Sequence, residues 1–115
     1  MTPEELREWS AVKVMGFEVY AEDAPWPAYT WTRANKVDGM MFVKDWTPDT
    51  DLNQAFMVAR KMIERGFELK LGYGNTIQGI LCWVRFETES FKSYFHDKSP
   101  ALAILLAAKA TEEPT

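Results

Sequence analysis

The stretch from residue 46 to residue 66 constrains the fold of this chain most, because it encodes one complete amphipathic helix. Asp49, Thr50 and Asp51 form an acidic start, in which Thr50 or Asp51 can accept backbone N–H bonds and the carboxylates suit the positive end of the helix dipole. Gly66 is a typical helix stop. Between these signals, apolar residues recur at helical spacing. The predicted core-facing stripe is Leu52, Ala55, Phe56, Ala59, Met62 and Ile63. Any fold must therefore cover one side of this helix.

Two further helices are predicted where a Thr or Ser is followed by Pro. Thr2 and Ser99 are the expected N-caps, and Glu5 is placed to complete a capping box with Thr2. The first helix is expected to end at Gly16, and the last covers residues 101–110. The buried side of the first helix is predicted to consist of Leu6, Trp9, Val12 and Met15. Because residues 101–110 are apolar on almost every side, this helix is expected to be sandwiched or to lie at a subunit interface.

Strand patterns fill the sequence between the second and third helices. Residues 67–73 alternate between apolar and polar, a turn is predicted at residues 74–76, and residues 80–86 form a second strand that is apolar on both faces. A strand of that kind is covered on both sides, which favours helices above and below the sheet. The sequence therefore predicts an α+β fold, with a small, mostly antiparallel sheet between helical layers (an α/β/α sandwich) and about three helices.

Aromatic residues concentrate in the segment between the first two helices. Residues 29–32 and 40–43 have strand-like composition and are expected to form a short hairpin around residues 35–39. The aromatic side chains near this hairpin either plug the open end of a core or line a binding surface, and the pattern leaves both open. Those aromatic residues are Trp26, Tyr29 and Trp31, together with Trp46 at the head of the second helix.

Length and charge restrict the class of protein. A chain of 115 residues is expected to form a single globular domain, with residues 111–115 as a frayed polar tail. The formal net charge of -4 and the lack of a basic run argue against direct nucleic-acid binding. No apolar run approaches the roughly 20 residues that span a membrane, and the polar N-terminus is not a signal peptide. A cytoplasmic location is expected, and the single cysteine, Cys82, cannot form an internal disulfide.

Four strings of residues, in this order along the chain, resemble the phage ABA sandwich domain, a family of small phage and prophage proteins of unassigned function. The strings are VMGF at residues 14–17, WTPDTDLNQA at residues 46–55, MIERGF at residues 62–67 and SPALAILLAA at residues 99–108. The resemblance implies a sheet between helical layers and a phage or prophage gene whose product acts in a bacterial cytoplasm. It implies no catalytic residues.

Residue sets that would carry chemistry fail on their spacing. Asp49, Asp51 and Asn53 alternate as in a calcium-binding loop, but Gln54 stands where the loop needs Gly and Arg60 where it needs a bidentate Glu. They are interpreted as helix-capping residues. No metal or cofactor is therefore expected from this segment.

The remaining titratable and nucleophilic residues give no catalytic set. His96 and Cys82 are the only residues of their types, so one chain cannot build a His/Cys zinc site. Cys82 lies within an apolar strand and is interpreted as a buried apolar side chain. Glu87 and Glu89 are interpreted as solvated charges at a strand end. No enzyme activity is expected.

Three functions are compatible with these patterns. The first is a small accessory protein that binds a host or phage protein without catalysis. The second is a protein that binds or sequesters a small molecule of the nucleotide type in counter-defence, and the third is an enzyme with an unrecognised site that includes Glu87, Glu89 or His96. In the second case the four aromatic residues stack on bases, and the phosphates are met by Arg33, Lys36 or Arg85. Homo-oligomers through residues 101–110 are expected if Leu102 and Leu106 are exposed.

Overall fold

A computed structural model describes residues 1–20, 22–23, 25–33 and 36–112. The chain divides into two compact units, Met1–Thr47 and Pro48–Thr115. The first unit contains α1 (Pro3–Trp9), a π-helical turn (Ser10–Val14), β1 (Glu18–Tyr20), β2 (Ala28–Arg33), β3 (Lys36–Phe42) and a 3-10 turn (Val43–Asp45). The second unit contains α2 (Leu52–Glu64), β4 (Glu68–Thr76), β5 (Gly79–Glu87), β6 (Lys92–Asp97) and α3 (Pro100–Ala110).

The predicted α+β class is confirmed. The described residues form three α-helices and two three-stranded antiparallel sheets, with strand order β1-β2-β3 in the first unit and β4-β5-β6 in the second. The expectation of a single globular domain stays a prediction. None of the described helices has the length and apolar character needed to cross a membrane. Residues 113–115 of the predicted frayed tail lie outside the described residues.

The first helix begins with the predicted capping box. The Thr2 side chain accepts the Glu5 N–H at 3.1 Å, and the Glu5 carboxylate accepts the Thr2 N–H at 3.3 Å. The helix continues through the π-helical turn, where the Met15 N–H donates to the Ser10 carbonyl at 2.9 Å, and Gly16 follows with φ 75°. The helix end is therefore placed as predicted.

The buried side of this helix differs from the prediction after Trp9. Leu6 and Trp9 are buried, but Val12 and Met15 are only half-buried. A π-helical turn contains more residues than an α-helical turn, so a stripe at α-helical spacing does not stay on one side of it. The residues of the turn that enter the core instead are Ser10, Ala11 and Val14.

Trp46 is the largest fully buried side chain of the structure, with 0% of its surface exposed. Its indole N–H donates to the Ser10 hydroxyl at 3.0 Å and to the Arg7 carbonyl at 3.2 Å. The ring meets Phe17 edge-on, with centroids 5.4 Å apart. Phe17 also contacts Tyr29 at 5.9 Å and Trp31 at 5.2 Å, which joins the helix end to β2.

The predicted hairpin in the first unit is confirmed. β2 and β3 pair antiparallel, with Tyr29 opposite Met41, and a register shift follows Trp31. Gly39 lies within β3 opposite Trp31 and not in the turn. A Cβ at Gly39 would overlap the Trp31 ring, which therefore lies directly against this backbone. The predicted turn at residues 35–39 is wrong, because β3 already begins at Lys36; Asn35, the first residue of that predicted turn, lies outside the described residues.

α2 begins at Asp51, whose carboxylate accepts the Asn53 N–H at 2.9 Å and the Gln54 N–H at 3.3 Å. The helix packs on α3, and α3 also packs on β5 and β6. Half-buried Leu102 and Leu106 are the large apolar side chains of α3 that keep some exposure, and self-association through them stays a prediction. The buried residues of α2 are Ala55, Val58, Ala59 and Met62.

Three of the six residues in the predicted core-facing stripe of α2 are exposed and not buried. Leu52, Phe56 and Ile63 are 40%, 44% and 49% exposed, whereas Val58, absent from the predicted stripe, is fully buried. The two alanines, Ala55 and Ala59, lie at the centre of the buried side. Because the distance between packed helices depends on the side chains at their contact, these small residues suit close packing, and the larger apolar residues lie beside that contact.

The turn between β4 and β5 lies later than predicted. Both strands extend to a two-residue turn at Ile77 and Gln78, with Thr76 paired to Gly79. The Thr76 hydroxyl donates to the Gly79 carbonyl at 2.8 Å and accepts the Gln78 N–H at 3.1 Å, and these bonds stabilise the turn at this position. The predicted turn at residues 74–76 is therefore wrong.

β5 is the central strand of the second sheet, as its apolar sequence indicated. One face carries the buried side chains Cys82, Val84 and Phe86. On the other face Leu81 is buried, and Trp83 is half-buried across the pair from Gly72. Because this ring lies close to the Gly72 backbone, position 72 is sensitive to the size of its side chain.

Two glycines of β4 provide a matched test of this contact. A Cβ on Gly72 would lie 2.8 Å from Cζ2 of Trp83, whereas a Cβ on Gly74 meets nothing within 4 Å. We expect Gly72→Ala to lower the free energy of unfolding by about 1–3 kcal/mol, as overpacking does. Gly74→Ala should leave it unchanged or raise it by about 0.4–1 kcal/mol. Urea unfolding followed by circular dichroism measures both. Equal stability of the two variants would contradict the packing of Trp83 on Gly72.

Candidate functional site

The first unit contains a cavity of about 360 Å³. This volume lies near the lower end of the range for small-ligand sites, about 300–1,000 Å³. Its residues come from α1, from β1 and the turn after it, from β2 and the residue before it, and from the 3-10 turn. The lining residues are Glu4, Arg7, Glu8, Val19, Glu22, Pro27, Tyr29, Val43 and Lys44.

Strand register and helix spacing bring these side chains together. Val19 of β1 lies opposite Tyr29 of β2, so both point to the same face of the sheet. Glu4 and Glu8 are one helical turn apart on α1, which places them on the same side of that helix. The Val43 N–H donates to the Pro27 carbonyl at 2.9 Å, which holds the 3-10 turn beside the start of β2.

Tyr29 is the uncharged polar side chain among the described residues that line the cavity. Its side chain is 2% exposed, and its hydroxyl makes no hydrogen bond to any residue that the structure describes. Burial raises the pKa of Tyr29 above its ordinary value, and the negative charge of Glu8 adds to the rise. The cavity therefore holds a neutral hydroxyl that can donate and accept hydrogen bonds with a bound group.

The charged groups of the cavity are predominantly acidic. Three carboxylates, Glu4, Glu8 and Glu22, and two basic groups line it. Within the described ranges, none of the three carboxylates forms an ion pair or hydrogen bond through its side chain. The ammonium of Lys44 lies 4.3 Å from the centroid of the Trp26 ring, a cation–π contact.

The structure separates the four aromatic residues considered as binding candidates. Tyr29 lines the cavity, and Trp26, which is 61% exposed, lies under Lys44 at the same site. Trp46 is buried in the core, and half-buried Trp31 packs on Phe17. The four rings therefore do not line one surface.

The predicted phosphate-binding residues lie apart from the cavity lining. Arg33 ends β2 and is exposed, as is Lys36 at the start of β3. Arg85 belongs to the second unit, where its guanidinium lies 6.0 Å from the Trp83 ring centroid. Binding by these residues stays a prediction.

Sequence reasoning missed the acidic residues of the cavity. Glu4 stands next to the predicted N-cap and capping-box residues and received no role in binding, although its spacing from Glu8 indicates a shared side of α1. The sequence carries no comparable signal for Glu22 and Lys44, which approach the site only through strand pairing and the 3-10 turn.

The residues considered for catalysis do not form a set in the second unit. Cys82 lies opposite Asp97 in the sheet and His96 lies opposite Trp83, so the thiol and the imidazole project from opposite faces. Burial raises the pKa of the Cys82 thiol. Among the described residues there is no group of three or more His, Cys, Asp or Glu side chains suited to a metal ion.

The two glutamates considered for acid–base work differ in their surroundings. Glu87 accepts a hydrogen bond from Lys70 at 2.7 Å, and this bond lowers the pKa of the Glu87 carboxyl below its ordinary value. Glu89 is exposed. An ionised, paired carboxylate is unsuited to the role of proton donor.

Comparison with known proteins identifies the family. A family model for the phage ABA sandwich domain matches residues 8–109. The chain belongs to the phage ABA sandwich domain family. The 2.0 Å crystal structure of a phage protein from Bacillus cereus ATCC 14579 is similar to this phage ABA sandwich protein, with a TM-score of 0.63 and 14% sequence identity over 96% of this chain and 92% of that chain. At this identity the likeness shows the fold alone. No curated protein matches the chain.

The pKa of Tyr29 predicts how the stability of the protein changes at alkaline pH. The unfolded chain loses the Tyr29 proton near the ordinary value of 10.0, whereas the folded chain keeps it to higher pH. The folded state then binds more protons than the unfolded state, so the free energy of unfolding falls as the pH rises above about 10. Tyr29→Phe should make this fall shallower. Urea unfolding of both proteins at about pH 9 and about pH 11 measures how much the free energy of unfolding falls in each. An equal fall in the two proteins would contradict the prediction.

Proposed function

We propose that this phage ABA sandwich protein is a small accessory protein that acts in the cytoplasm of a bacterial host by binding, and that the cavity of the first unit holds a small ligand. One observation carries the proposal: Tyr29, which is almost wholly buried, lines this cavity, and its hydroxyl is open to the cavity and has no hydrogen-bond partner among the described residues. The proposal includes no catalytic step.

The energetics of hydrogen bonding support this function. A hydroxyl that opens into a cavity exchanges its hydrogen bond with water for one with a ligand, and such a bond contributes about 0.5–1.5 kcal/mol net. Val19, Pro27 and Val43 supply apolar contact beside Tyr29, while charged groups surround the opening. Apolar walls with a few convergent polar groups are typical of small-ligand sites.

A nucleotide fits this cavity less well than a ligand without phosphates. Its phosphates would meet three carboxylates against two basic groups, so the lining repels a polyanion on balance. The nucleotide hypothesis would therefore need another surface of the chain.

The ligand-binding proposal predicts that removal of the Tyr29 hydroxyl weakens binding. Small cationic, neutral and anionic probes are added to ¹⁵N-labelled protein, and the amide shifts of Val19, Glu22 and Val43 are followed. At least one class should give saturable shifts there. Tyr29→Phe should weaken its binding about twofold to tenfold, the loss of one hydrogen bond.

Tyr20→Phe is the matched control, because Tyr20 is 63% exposed and does not line the cavity. It should leave the affinity unchanged. Absence of saturable shifts with every probe class, or equal weakening by both variants, would overturn the proposal.

A protein partner is the second candidate, and the exposed side of α2 favours it. Leu52, Phe56 and Ile63 present an apolar stripe on one side of this helix. Exposed Arg60 lies beside the stripe and forms no ion pair with a described residue. Charge complementarity therefore points to a partner protein whose apolar surface is bordered by carboxylates.

Two adjacent residues of α2 test this candidate. Phe56 and Met57 are similarly exposed, at 44% and 42%, but successive positions of a helix point about 100° apart. A host or phage protein recovered with the wild type should bind the purified chain directly. Phe56→Ser should weaken that binding at least tenfold, as loss of an aromatic anchor does, while Met57→Ser leaves it nearly unchanged.

Light scattering distinguishes a partner protein from a second copy of the chain. If light scattering shows that the wild type self-associates and Phe56→Ser abolishes this, the stripe belongs to a homodimer. That result would contradict the partner-protein hypothesis. Equal binding by both variants would also contradict it.

A further inference from the structure

We propose that the ligand of the first-unit cavity carries a positively charged nitrogen on an apolar stem, as an alkylammonium or alkylguanidinium group does. This inference rests on the proposed function and specifies its ligand class. It combines two independent observations, the charge of the cavity rim and the side chain of Tyr29, which is almost wholly buried and presents an unpartnered hydroxyl to the cavity.

The rim carries an excess of negative charge. Glu4, Glu8 and Glu22 outnumber the two basic groups, Arg7 and Lys44, by one. The Lys44 ammonium already lies over aromatic rings, 4.3 Å from the centroid of Trp26 and 5.8 Å from that of Phe42. The carboxylates have no such partner among the described residues, so a ligand cation is the charge that the site lacks.

The Tyr29 hydroxyl supplies a further hydrogen-bond acceptor in the cavity lining. Tyr29 is 2% exposed, lines the cavity and lies within the electrostatic influence of Glu8. An ammonium group has three N–H donors and no acceptor. It therefore matches the acceptors of the site, the Glu8 carboxylate and the Tyr29 oxygen, whereas a carboxylate ligand would meet the excess of negative charge in the lining.

The apolar walls define the rest of the ligand. Val19, Pro27 and Val43 contact a methylene stem without offering it polar side chains. A cavity of about 360 Å³ accommodates a short alkyl chain. Such a group occurs both in free amines and in the side chain of lysine, and these two sources share the same chemistry.

The test compares three probes of nearly equal length that differ in charge: butylamine, butan-1-ol and butyrate. Binding is followed by the amide shifts of Val19, Glu22 and Val43 at neutral pH. Butylammonium should bind at least about fivefold more tightly than butan-1-ol, and butyrate should bind most weakly. Added salt should weaken the binding of butylammonium only.

Variants that each remove one carboxylate test which side chains attract the ammonium group. Glu8→Gln and Glu22→Gln should each weaken butylammonium about threefold to fivefold and leave butan-1-ol unchanged. Glu18→Gln is the matched control, because Glu18 is exposed on β1 and does not line the cavity. Circular dichroism confirms that each variant is folded, and Glu22, which lies outside the helices, provides a test independent of α1.

The outcomes separate the two proposals. Tighter binding of butyrate or butan-1-ol than of butylammonium, or equal effects of Glu8→Gln and Glu18→Gln, overturns the ligand class while the cavity remains a binding site. Absence of shifts with all three probes overturns the proposed function as well. N-acetyl-lysine N-methylamide distinguishes the sources: tighter binding than butylammonium assigns a lysine side chain, and weaker binding assigns a free amine.

Discussion

The first unit depends on a buried indole whose polar atom is satisfied at a helix irregularity. Trp46 comes from the end of the unit, yet its N–H donates to Ser10 and to the Arg7 carbonyl, at the junction between α1 and the π-helical turn. Ser10 in turn donates to the same carbonyl at 2.8 Å. A buried indole N–H without partners would be costly, so these bonds and the edge-on contact with Phe17 specify where the helix lies against β2. The cavity beside Tyr29 is a consequence of that placement.

The cavity combines features that usually conflict in a small protein. Tyr29 is as buried as the core, but its hydroxyl has no hydrogen-bond partner among the described residues, and three exposed carboxylates line the same cavity. A hydroxyl that the protein does not satisfy needs water or a ligand as its partner, and like charges that share a site repel one another. Local violations of folding rules of this kind concentrate at functional sites. For this reason the proposed function rests on the cavity and not on the exposed aromatic residues.

The second unit departs from the rules of folding in a different way. Its sheet and α3 form an ordinary core, in which Cys82 is an inert buried side chain and the face with His96 is separate. The exposed side of α2 is the exception, because apolar residues there point to solvent while alanines occupy the buried side. Exposed apolar stripes are a common mark of protein contacts. Membership of the phage ABA sandwich domain family is compatible with either kind of binding.

The sequence by itself determined the elements whose cause is local. Capping at Thr2, Asp51 and Ser99 and the apolar character of β5 follow from residues a few positions apart, and all are found in the structure. The α+β class and the family also follow from such patterns. Tertiary structure alone decided that Trp46 is core while Trp26 is exposed, that Val58 and not Phe56 faces inward, and that Glu22 and Lys44 share a cavity. Burial and cavity formation depend on which distant segments meet, and periodicity within one segment carries no information about its partner.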